Sequence, residues 1–158
     1  MKTSSKLFAT AFLAAALSGA ALAQSAVDPA IKAAIDARHS NMHLFAFNLG
    51  LLGGMAQGKI DYDAEAATKA AANLVALSHL DTSRYWPEGS DTAIEGSHAL
   101  PAIWTDKADF DAKWAALGTA TEAMAAAAGT GVDGLKAALG GVGGACADCH
   151  KTYRARLN

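Results

Sequence analysis

The chain has 158 residues, 52% apolar and only 18% charged, the size and balance of one ordered domain. Forty alanines stand against nine valines and isoleucines together, so residues that lose little on entering a helix dominate and a large β-sheet is excluded. The formal charge of −2 gives no basic surface able to neutralise a run of phosphates, which removes nucleic acid from the expected partners.

Lys2 and Lys6 precede an apolar run from Leu7 to Leu17, followed by Ala21-Leu22-Ala23. This is the pattern of a secretory signal peptide with an A-x-A cleavage site. An uncleaved anchor is the alternative, but the run falls short of the roughly 20 apolar residues that a membrane helix needs. The expected division is a signal peptide at residues 1–23 and one exported, periplasmic domain at 24–158, with no membrane span in the mature chain. Cleavage removes two lysines and no acid, so the formal charge moves from −2 to −4.

Four helical segments follow. The first starts at Asp28-Pro29, an N-cap with proline in the first helical position, and stops near Gly58. The second runs from about Asp61 or Asp63 to Leu80. From Asp81 to Trp104 the chain holds Pro87, Pro101, Gly89 and Gly96 and reads as a long irregular connection. The third helix starts at Thr105 or Asp106 and ends at Gly129; the last runs from Asp133 nearly to the C-terminus, despite glycines at 140, 141, 143 and 144 that each cost about 1 kcal/mol relative to alanine. Each segment carries an apolar seam at three- and four-residue steps: Ile31, Ile35, Arg38, Met42, Phe45 and Leu49; Ala70, Leu74 and Leu77; Phe110, Trp114, Leu117, Thr121 and Met124; Leu135, Leu139, Val142, Cys146, Cys149 and Tyr153. Four such helices predict an all-α, antiparallel, up-down-up-down four-helix bundle.

Cys146-Ala147-Asp148-Cys149-His150 is C-x-x-C-H, the attachment sequence of c-type haem. Two thiols three residues apart on a helix project from one face, where they can add to the two vinyl groups of a porphyrin, and the adjacent imidazole is carried to the iron. The competing readings are a redox disulfide, which expects a βαβ context, and a zinc site, which needs further ligands at regular spacing. The chain has neither. The expected cofactor is therefore one covalent haem c near the C-terminus. The four glycines before the motif would let a flat macrocycle lie against the helix, the alternative being a frayed or kinked helix start. Arg38 is a cation on an inward seam and calls for an anionic partner, or else snorkels to the surface.

The C-terminal C-x-x-C-H followed by Tyr153-Arg154, the segment Pro101-Ala102-Ile103-Trp104-Thr105-Asp106, the loop Trp86-Pro87-Glu88-Gly89, and a first helix with Arg38 and Met42 one turn apart resemble the cytochrome c′ family over essentially all of the mature chain. The resemblance implies thioethers at Cys146 and Cys149, His150 as proximal ligand, Arg38 near the haem propionates and Arg154 as a basic neighbour of the proximal histidine. It also implies that the first helix covers the other haem face. There the family divides. High-spin members leave the iron five-coordinate and bind nitric oxide or carbon monoxide, whereas in low-spin members a first-helix methionine takes the sixth position. Met42 aligns with that position, which makes it a candidate sixth ligand, while Arg38 four residues earlier looks more like the high-spin pattern.

His39 and His43 each point about 100° away from their seam neighbours and read as surface histidines; Met55 and Met124 read as core. No nucleophile with a paired base, phosphate loop or singled-out carboxylate pair argues for enzyme catalysis. The expectation is a periplasmic mono-haem electron carrier with redox proteins as partners, the alternative being a five-coordinate gas-binding protein. Leu44, Phe47, Leu51 and Leu52 lie off the first seam and predict a homodimer through the first helix.

Overall fold

A computed structural model describes residues 27–156; the expected signal peptide lies outside this range. Its helices are α1 (Pro29–Ala56), α2 (Ala64–Ser78), α3 (Ala102–Thr105), α4 (Lys107–Ala128) and α5 (Val132–Tyr153). Among the described residues there is no strand, only an isolated antiparallel bridge between Ala99 and Arg154. The starts follow from side-chain capping. The Asp28 carboxylate accepts from Ala30 N at 2.8 Å with Pro29 in the first turn, and Asp63 and Asp106 accept from Ala66 N and Asp109 N, satisfying amides that have no partner inside the helix. The α4–α5 turn needs Gly131, whose φ of 125° is strained for residues with a side chain.

The long helices form a ring in which α1 packs on α2 and α5, and α4 packs on α2 and α5. The main core joins Phe45, Leu52 and Met55 of α1, Leu74 of α2, Leu117 and Met124 of α4, and Leu135 and Val142 of α5. Removing these side chains from water supplies most of the driving force for bundling, at about 25 cal/mol per Å² of apolar surface. A second cluster, Ala99, Ile103, Phe110 and Tyr153, lies beneath the connection between α2 and α4. Within it Phe110 meets Trp86 and Tyr153 edge to face at 5.0 and 5.3 Å.

Three details differ from the sequence expectation. The irregular connection ends in one helical turn, α3, preceded at the N-cap by Pro101, whose ring-fixed φ of −53° already matches the helix. The buried stripe of α1 is rotated from the expected seam. Ala34, Ile35, Arg38, Asn41, Phe45, Asn48 and Leu52 are buried, while Met42 and Leu49 are half-buried, because α2 lies against the side that holds the two asparagines and the Asn73 amide donates to Asn48 Oδ1 at 3.0 Å. Finally, Leu52 is fully buried and Leu51 half-buried, so only Leu44 and Phe47 of the proposed interface residues are exposed, Phe47 at 78%.

Candidate haem site

The two cysteines lie on the inner side of α5, half-buried and not joined in a disulfide. Cys146 packs against the main core and Cys149 against the cluster under the connection. Burial raises both thiols above their ordinary pKa, and Cys146 raises Cys149 further. His150 is half-buried beside them. Burial and then the nearby Arg154 guanidinium hold its imidazole below its ordinary value, favouring the neutral ring that a metal requires.

The segment 97–100 brings the first helix to this end of the bundle. His98 O accepts from Ala155 N at 2.8 Å and Leu100 N donates to Tyr153 O at 3.0 Å, fastening the loop to the end of α5. On its other side the loop meets α1, where the His98 ring stacks on His39 at 6.0 Å and Ser97 Oγ accepts from Arg38. The turn of α1 holding Arg38, Asn41 and Met42 is thereby set at the same end of the molecule as Cys146, Cys149 and His150.

Arg38 is buried, only 2% exposed, which excludes the snorkelling alternative. Its Nη1 donates to Ser90 Oγ at 2.8 Å and Tyr85 O at 3.2 Å, its Nη2 to Ser90 O at 2.6 Å and Ser97 Oγ at 2.7 Å, and its guanidinium lies 4.9 Å from the centre of the Trp86 ring. These partners are neutral, and among the described residues no acid pairs with it. Burial lowers its pKa. The anionic partner expected for Arg38 is thus not supplied by the described residues.

Three further polar atoms in this region are buried without a partner: Asn41 Nδ2, Asn41 Oδ1 and Trp86 Nε1. Each such group costs about 1–3 kcal/mol unless something bonds it. A buried cation without an anion, idle donors beside it, and two unbridged thiols next to a neutral imidazole suit a planar, carboxylate-bearing group joined through sulfur. At Gly140, Gly141, Gly143 and Gly144 a Cβ would meet nothing within 4 Å, so packing of the polypeptide gives no reason for these glycines.

The family model for cytochrome c′ matches residues 33–154. The chain belongs to the cytochrome c′ family. It is 46% identical over 135 residues to a cytochrome c-554 of Cereibacter sphaeroides, covering 85% of this chain and 87% of that protein. Its fold is similar to that of a cytochrome c′ from Rhodobacter Spheriodes, with a TM-score of 0.78, 38% identity and coverage of 80% of this chain and 98% of that one. It is also similar to a mutant of cytochrome c prime from Alcaligenes xylosoxidans solved as its nitric oxide complex, with a TM-score of 0.71, 31% identity and coverage of 80% and 97%. As in the rest of the cytochrome c′ family, the cofactor is covalently attached haem c, and the fold is the all-α four-helix bundle expected from the seams.

Trp86 stood in one of the loops that carry the family resemblance, whereas Asn41, Ser90 and Ser97 were not legible as parts of this region. Asn41 lies three residues beyond Arg38, so continuing the three-residue step would have found it. The two serines lie in an irregular segment with no period, where sequence carries no such signal.

Proposed function

We propose that this protein is a periplasmic one-electron carrier whose haem c is joined to Cys146 and Cys149, with His150 and Met42 as axial ligands. The bound haem supplies a one-electron iron couple. Around it the polypeptide sets the environment. Burial keeps the His150 imidazole neutral, the apolar residues Phe45, Phe110 and Tyr153 limit water, and Arg38, Trp86 and Asn41 offer a positive charge and hydrogen-bond donors toward the propionates. Arg154 adds a second positive charge beside the proximal ligand.

The observation that carries this reading is the position of Met42, half-buried one turn beyond Arg38 on the part of α1 brought to the His150 end of α5. A thioether opposite a histidine gives iron its two protein ligands and favours electron transfer over ligand binding. The second reading, a five-coordinate gas-binding protein, is supported by the likeness to the Alcaligenes xylosoxidans protein solved with nitric oxide. In that reading Met42 packs over the haem without bonding iron. The exposed Leu44 and Phe47 support a homodimer through α1.

Absorption spectra of the oxidised and reduced protein test the carrier reading. A low-spin spectrum in both states is expected, and Met42→Leu, which keeps the volume and removes the donor, is expected to convert it to high-spin. A wild-type spectrum that is already high-spin at neutral pH overturns it.

A further inference from the structure

The mature chain is acidic, yet its charge is unevenly placed. Four lysines on the helices are neutralised by a carboxylate one turn away: Lys32 by Asp36, Lys69 by Glu65, Lys107 by Asp111 and Lys113 by Asp109. In contrast Lys151, Arg154 and Arg156 fall within six residues, are all exposed, and make no ion pair among the described residues. Asp148, three residues before Lys151, does not pair with them, and Asp109, near Tyr153, accepts from Tyr153 Oη and pairs with Lys113.

The fold keeps these cations outward. Beyond α5 the backbone is extended at Arg154, where the bridge to Ala99 holds it, so alternate side chains face opposite ways. Tyr153 is buried, Arg154 exposed, Ala155 half-buried and Arg156 exposed. A helix C-terminus attracts cations, which gives Lys151 a structural reason, but Arg156 lies past the helix and has none. The Arg154 amide donates to His150 O at 3.2 Å, which fixes Arg154 at the His150 end of α5. Arg154 therefore lies beside the residue proposed as proximal ligand, with Lys151 next to it in the chain and Arg156 two residues further along the extended exit.

We infer that this exit of α5, built from Lys151, Arg154 and Arg156, is the docking face for an acidic electron-transfer protein. The inference rests on the electron-carrier reading for the partner's role. A protein with formal charge −2, or −4 after the expected cleavage, repels an acidic partner at long range, whereas a local cluster of three cations turns the His150 end toward it at short range.

The test is stopped-flow oxidation of the reduced, haem-loaded protein by the anionic probe hexacyanoferrate(III) and the cationic probe tris(phenanthroline)cobalt(III). In each reaction one electron leaves the protein's iron and reduces the probe by one unit. If the cationic face governs, raising the ionic strength from about 0.01 M to about 1 M, which shortens the screening length from about 30 to about 3 Å, slows the hexacyanoferrate reaction about tenfold and speeds the cobalt reaction. Lys151→Glu/Arg156→Glu is expected to reverse both slopes, with Arg154 left in place beside His150. If that variant loads haem poorly, Lys151→Gln/Arg156→Gln is expected to flatten them. A wild-type hexacyanoferrate rate that rises with salt, or slopes unchanged by the substitutions, overturns the inference. A flat wild-type slope together with cosedimentation on phosphatidylglycerol vesicles would assign the face to lipid and overturn it as well. Failure of the carrier reading shows separately, as rapid carbon monoxide binding by the ferrous protein, and leaves the salt slopes unaffected.

Discussion

At the scale of single residues, the proposed haem attachment rests on three positions near the end of α5, and these were the most legible part of the chain. Cys146, Cys149 and His150 announce themselves by residue type and spacing, which need no knowledge of packing. Asn41 did not, and although the Trp86 loop stood out its idle Nε1 did not, because a partnerless donor is visible only when every surrounding donor and acceptor has been placed. If Cys146 and Cys149 carry the haem as proposed, Cys146→Ala and Cys149→Ala each remove one thioether link. Denaturing electrophoresis stained for haem is expected to show weakened retention in either variant and none when both are replaced; staining equal to wild type would reject the attachment site.

At the scale of elements, one buried side chain of α1 holds the connection between α2 and α4 in place. Arg38 donates four hydrogen bonds to Tyr85, Ser90 and Ser97, and that same segment fixes the end of α5 through His98 and Leu100. Arg38→Met keeps most of the volume while leaving the Ser90 and Tyr85 carbonyls short of donors. A loss of about 2–4 kcal/mol in unfolding free energy is expected, read from denaturant titration followed by circular dichroism. A loss below about 0.5 kcal/mol would show that the connection holds its shape without the arginine. Helix boundaries were legible because Asp28, Asp63 and Asp106 sit where side-chain caps act. The rotation of the α1 stripe was not, since alanine-rich faces give weak contrast between inside and outside, and which face is buried depends on where α2 lies.

At the scale of the whole molecule, the bundle leaves Phe47 78% exposed and Leu44 50% exposed on the outer side of α1. If two copies pair through this face, Phe47→Glu places a charge in an apolar contact and is expected to shift the protein from dimer to monomer in light scattering, with its absorption spectrum unchanged. A wild-type protein that is monomeric at all practical concentrations would remove the dimer. Function at this scale turns on whether both protein-supplied axial positions are filled, because that decides between a carrier and a receiver of gases. Mixing the ferrous protein with carbon monoxide and following its absorption spectrum asks this directly. Slow binding or none is the expected result, since under the proposed ligation an incoming ligand would have to displace the Met42 thioether, whereas rapid, complete formation of the carbon monoxide complex would contradict the electron-carrier account.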